Sequence, residues 1–121
     1  MNNIKKVKLG SQGLVVPAIG LGIYIVGAVE IHDHVGYGKY AELAGKAMQE
    51  FTDAGFELEA LSVDGHPKIY EGTQPADHLM LFKFKSREDY EAFVASETYQ
   101  KALPLRLASS TTRFMMAMDS M

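Results

Sequence analysis

From Ile23 onward the hydrophobic pattern switches repeatedly between a period of two and a period of three to four. The order of those switches leaves few folds open. Ile23 to Ile31 alternates: Ile23, Ile25, Val29 and Ile31 share one face with Gly27, while Tyr24, Val26, Ala28 and Glu30 share the other. Tyr37, Tyr40, Ala41, Ala44, Ala47, Met48 and Phe51 then recur at helical spacing. Asp33 stands ahead of them as an N-cap and Gly55 behind them as a stop, so the helix runs to about Asp53. Phe56 to Val63 alternates again, Asp64-Gly65 signals a hairpin turn, and Lys68 to Glu71 reads as a short return strand closed by Gly72. After the loop Gln74-Pro75-Ala76-Asp77, His78 to Phe84 is a further strand. Ser86 with Asp89 resembles a capping box, opening a helix that buries Tyr90, Phe93 and Val94. Ser96 caps a second helical piece carrying Tyr99 and Leu103, which Pro104 is expected to kink or restart because its ring removes a backbone donor. Thr111 to Met118 is the last strand.

The resulting order, β-α-β-β-α-β, is the ferredoxin-like arrangement of the α+β class: an antiparallel sheet of four main strands with two helices on one face. A sheet covered on one side leaves the other face apolar, with Met80, Phe82, Phe84 or their neighbours on it. Burying that face against a second copy gives a homodimer in which two sheets pack together, a dimeric α+β barrel.

The 121 residues make one such domain, 23–121, with residues 1–22 as an N-terminal extension. Net charge is −3 and the basic residues are scattered, Lys5, Lys6 and Lys8 forming the tightest group, so no nucleic-acid partner is expected. There is no cysteine, which removes disulfides, thiolate catalysis and cysteine-ligated zinc. Leu14 to Val29 is free of charge and mimics a secretory signal. Pro17, Gly20, Gly22 and Gly27 interrupt it, it falls short of the ~20 residues a membrane helix needs, and cleavage after Ala28 would remove a strand of the fold. The expectation is a cytoplasmic protein with no membrane contact.

Two resemblances to known families follow. Residues 8–22, Lys-Leu-Gly-Ser-Gln-Gly-Leu-Val-Val-Pro-Ala-Ile-Gly-Leu-Gly, resemble the start of an aldo/keto reductase: two short strands, 5–9 and 14–16, around Gly10-Ser11-Gln12-Gly13. That family's barrel needs ~250 residues, so a reductase fragment borrowing a partner ranks last among the readings. Residues 23–119 resemble the domain-of-unknown-function 1330 family through Tyr24–Ile31, Tyr37-Gly38-Lys39-Tyr40, Ile69-Tyr70-Glu71-Gly72 and, most strongly, Ser96–Arg106. This resemblance implies a dimeric α+β barrel and no particular reaction. The chain departs from the family at Asp33-His34-Val35, where Asp-Pro-Glu is usual, and at Ala28, where an acidic residue is frequent.

The candidate chemistry is sparse. His32 and His34 form an H-x-H pair, but the strand is ending there and no third ligand is evident, so the pair reads as a polar loop and no metal is assigned. His66 lies in a turn; His78 opens a strand and faces either a cleft or solvent. Arg106 is the sole charge in Leu103-Pro104-Leu105-Arg106-Leu107-Ala108. It either clamps a carboxylate with its planar fork or snorkels, its stem over the core. Tyr99, seven residues earlier, shares its helical face if Pro104 does not swing the chain; otherwise Tyr99 is core packing. Tyr24, Glu30 and Tyr70 are further cleft candidates from strand alternation. Met115, Met116 and Met118 read as adaptable core or interface filling. Gly10, Gly13, Gly20 and Gly22 lack dinucleotide spacing, and no cofactor is expected. Two functions compete. One is a cofactor-independent enzyme acting on a small acidic or aromatic metabolite, with Arg106 binding the anion and His32 or His78 moving a proton. The other is a homodimeric binding or interaction protein without catalysis.

Overall fold

A computed structural model of the chain describes residues 22–121. The hairpin expected around Gly10–Gly13 lies outside them. β1 (Ile23–Ile31) is the hub of a four-stranded antiparallel sheet, pairing with β3 (His78–Phe84) on one side and β4 (Ser110–Asp119) on the other. β2 (Leu58–Asp64) adds outside β3, giving the order β2-β3-β1-β4. The ends of the domain are tied together where Gly22 N–H donates to Ser120 Oγ and Ser120 N–H to the Gly22 carbonyl.

Three helices, α1 (His34–Asp53), α2 (Arg87–Ala95) and α3 (Glu97–Ser109), lie over one face of the sheet. Cap chemistry sets their starts: Asp33, Ser86 and Ser96 each accept from the backbone N–H three residues on. The chain leaves α1 through Gly55 at φ +100°, a left-handed conformation that glycine adopts without steric cost. Ile23 and Ile25 point from the sheet into a core completed by Phe51, Phe84 and Phe93, whose ring centroids lie 5.4–6.0 Å apart. Gly27 is needed for close packing here: a Cβ would stand 2.9 Å from Met115 Sδ and 3.0 Å from Met80 Cγ, so its absence lets the two methionines close over the strand.

The architecture is the expected ferredoxin-like one, with the second helical region in two separately capped pieces. Two local expectations are corrected, and the alternative left open for β3 is resolved. Lys68–Glu71 forms no strand; residues 65–77 are a loop, and β2 pairs directly with β3 from Leu58 opposite Phe84. Pro67, which has no N–H, precedes that segment and Gly72 at φ +89° follows it, which leaves little room for a strand between them. Pro104 does not break α3, which runs through it to Ser109. The proline is on the exposed side of the helix, as is Gln100, whose carbonyl loses its i+4 donor there. Met80 and Phe84 are buried beneath the helices. Their neighbours occupy the other face, in cross-strand rows Leu79–Ala28–Phe114, Leu81–Val26–Met116 and Lys83–Tyr24–Met118.

Candidate functional site

Because α3 passes through Pro104 without a break, Tyr99, Ala102, Arg106 and Ser109 form its buried stripe. Three of those positions suit a core; Arg106 does not. Its side chain is only 8% exposed. Nη1 donates to Thr112 Oγ1 on β4 at 2.6 Å, and the guanidinium carbon lies 5.9 Å from the centre of the Tyr40 ring. Nε is fully buried and has no acceptor among the described residues. Among the described residues no carboxylate pairs with Arg106; the ion pairs are Arg87–Asp119, Lys101–Glu97 and Arg113–Glu30. Ser109 and Ser110 spend their hydroxyl protons on the carbonyls of Leu105 and Arg106 at the end of α3.

Four tyrosines gather beside this cation. Tyr40 of α1 and Tyr99 of α3 bring their hydroxyl oxygens to 3.0 Å, and the Tyr37 ring lies 5.2 Å from that of Tyr40. Burial pushes the Tyr40 hydroxyl far above the usual tyrosine range, with further upward pressure from Tyr99 and only partial relief from Arg106. Burial likewise raises Tyr37 and Tyr90, against the lowering pull of Arg106. Tyr37, Tyr40 and Tyr90 are therefore neutral near pH 7 and give Arg106 no counter-charge. The hydroxyl pair is short of acceptors as well: two protons share one bond, and the second finds no acceptor among the described residues.

Tyr40, Tyr90 and Tyr99 also wall a cavity of about 60 Å³ between helices and sheet, whose other surfaces are apolar side chains such as Met48, Met80, Phe82 and Met115. The site thus has an apolar chamber walled in part by the hydrogen-bonded pair Tyr40 and Tyr99, and a buried cation that does not line the chamber but lies near the Tyr40 ring.

Of the residues singled out from sequence, Arg106 and Tyr99 come together here. His78 stands at the margin, half-buried, its ring 5.4 Å from Tyr37. Burial lowers its pKa, Asp77 and Asp64 oppose that shift, and His34 adds to it. His32 is exposed past the end of β1. Glu30 pairs with Arg113, the extra β4 residue where the register shifts between Ala28 and Val29. Tyr24 lies on the sheet face away from the helices, beneath Lys83. Tyr70 is 85% exposed in the 65–77 loop and meets Lys68. Among the described residues no three histidine, cysteine or acidic side chains converge on a metal-sized point. Sequence reasoning missed Tyr37, Tyr40 and Thr112. The available signal was two phenols in a helical core stripe, where phenylalanine or leucine would need no hydrogen-bond partner.

Comparison with known proteins agrees with this fold. The family model of the domain of unknown function DUF1330 matches residues 22–120. The RPA0582 protein of unknown function from Rhodopseudomonas palustris superposes with a TM-score of 0.67 at 13% identity, covering 83% of each chain. HapK from Hahella chejuensis gives 0.54 at 10% identity, covering 82% of this chain and 92% of its own. A conserved protein from Methanosarcina mazei Go1 gives 0.50 at 12%, with 84% and 93% covered. No curated protein matches the chain. The aldo/keto reductase resemblance of residues 8–22 gains no support: the family match begins at residue 22, and the structural similarities are to the α+β domain.

Proposed function

The chain belongs to the DUF1330 family, and from that premise, which supplies no reaction, we propose that it is a homodimeric binding protein for a small organic anion. One observation carries the reading: a guanidinium 8% exposed, with a buried Nε lacking any acceptor and no carboxylate partner among the described residues. Buried charges are normally paired, because leaving one uncompensated costs several kcal/mol, on the order of 3–5. An anion from solution supplies the missing partner, and the planar fork of arginine suits a carboxylate. Binding is favoured over catalysis because, among the described residues, no histidine–carboxylate hydrogen bond lies in the cavity; His78 stands outside its lining, with its ring edge toward Tyr37.

The homodimer is supported by the second sheet face. Strands of seven to ten residues in a four-stranded sheet span roughly 19 by 25–30 Å at ordinary strand spacing. That flat footprint of roughly 500–600 Å², to which side-chain relief adds accessible area, is about two thirds of the ~800 Å² each partner contributes to a standard interface. The centre of this face is the apolar row Leu81–Val26–Met116, which matches a second copy of itself.

A thermal-shift panel of organic carboxylates, phosphate and sulfate tests the binding reading on the wild type and on Arg106→Lys, which keeps the charge without the fork. At least one organic anion should raise the melting temperature of the wild type and do so far less for the variant. If no anion gives an Arg106-dependent shift, the reading fails.

A further inference from the structure

Resting on the anion reading above, we propose that the bound molecule is a short aliphatic monocarboxylate, about butyrate-sized, with its tail in the chamber and its carboxylate between Arg106 and the Tyr40–Tyr99 hydroxyls. The polar groups decide the head. Arg106 Nε–H is a donor without an acceptor, and the hydroxyl pair holds a second such proton. With Tyr37, Tyr40 and Tyr90 all raised by burial, the surroundings offer donors and no negative charge. A carboxylate accepts from both sets, whereas an amide or alcohol of the same length brings no charge for Arg106.

The chamber decides the tail. Its volume of about 60 Å³ is well under half the ~150 Å³ that takes a benzene ring. Three or so carbons fit; an aromatic ring does not without displacing close-packed neighbours. No cation lines the chamber itself, whose other walls are methionine, phenylalanine and aliphatic side chains. Arg106 stands outside the lining, near the Tyr40 ring, so only a head group at the Tyr40 side comes close to it and a second carboxylate meets no charge. A dicarboxylate would therefore strand one charge in apolar surroundings. His78 lies at the margin beside Tyr37 and does not line the chamber, so it contributes nothing to tail recognition.

The test is calorimetric titration of the full chain with propionate, butyrate, hexanoate, benzoate, succinate and butyramide. Butyrate should bind at least about tenfold more tightly than benzoate or succinate, the lower end of what misfit in a packed pocket costs, and butyramide should give no saturable heat. Ala44→Val fills part of the chamber from the α1 wall while leaving Arg106 in place, and should move the preference from butyrate toward propionate. Equal or tighter binding of benzoate, still lost in Arg106→Lys, would overturn the aliphatic assignment and leave the anion reading standing. Binding of any of these acids that is unchanged in Arg106→Lys, or no binding by any, would overturn both.

Discussion

The two faces of the sheet are both apolar, yet they solve different problems. Beneath the helices, Ile23, Ile25 and Phe84 are almost fully buried, and Phe84 interlocks with aromatic rings from α1 and α2. On the opposite face the row through Val26 ends at Met116, 47% exposed, and the row through Tyr24 runs from Lys83 to Met118, 50% exposed. Among the described residues, the first face lacks only a counter-charge for Arg106. The second has apolar side chains in register and no helix of the described residues over them. Hydrophobicity alone therefore does not tell core from interface; what separates them is whether the chain's own elements close the surface.

The strongest way to break this contrast is assembly. Met116→Lys places a charge on the open face at a side chain already half-exposed, so the fold should survive, while sedimentation should fall from twice the chain mass to once. A wild type that sediments as a monomer would show that this face does not need a second copy. Next comes a paired comparison within the closed face, read by urea unfolding. Phe93→Ala should cost about 3–5 kcal/mol, the usual toll of emptying a buried aromatic position. Arg106→Met should go the other way, raising stability by about 1 kcal/mol or more without ligand, because a methionine fills the stem's space and removes an unpaired buried charge. A loss for Arg106→Met as large as that for Phe93→Ala would mean that the guanidinium is well satisfied as it stands.

The smallest effect concerns His78. Its pKa is lowered by burial, so as pH falls through about 6.5 the unfolded chain takes up a proton before the folded one does. Stability should decline with acid over that window and level off once the folded His78 is protonated. His78→Gln should flatten that part of the profile, measured by urea midpoints between about pH 8 and about pH 5. An unchanged slope would remove His78 as its source.

What could be read from the sequence was what is local. The limits of β1 and the caps at Asp33, Ser86 and Ser96 follow from alternation and side-chain oxygens placed three residues before a free N–H, and all stand as expected. What could not be read depends on partners far along the chain. Ile69-Tyr70 is as β-prone as many strands, but Pro67 and Gly72 bracket it, and the strand that returns beside β2 is β3, farther along the chain. The segment His-Leu-Met-Leu-Phe-Lys-Phe is apolar on both sides, so nothing within it says whether Met80 or Leu81 faces the helices. Arg106 and Tyr99 were visible because a lone charge at helical spacing is conspicuous. Tyr40 was hidden in plain periodicity, and only its hydroxyl meeting that of Tyr99 across α1 and α3 marks it as more than filling.

The clustering of phenols has an optical consequence. The chain contains six tyrosines and no tryptophan, so its near-ultraviolet emission is tyrosine emission alone. Tyr40, Tyr90 and Tyr99 wall the chamber and Tyr37 packs on Tyr40, leaving only Tyr24 and Tyr70 elsewhere. Most of the intrinsic fluorophores thus line or adjoin one chamber, so the emission of the protein reports chiefly on that region.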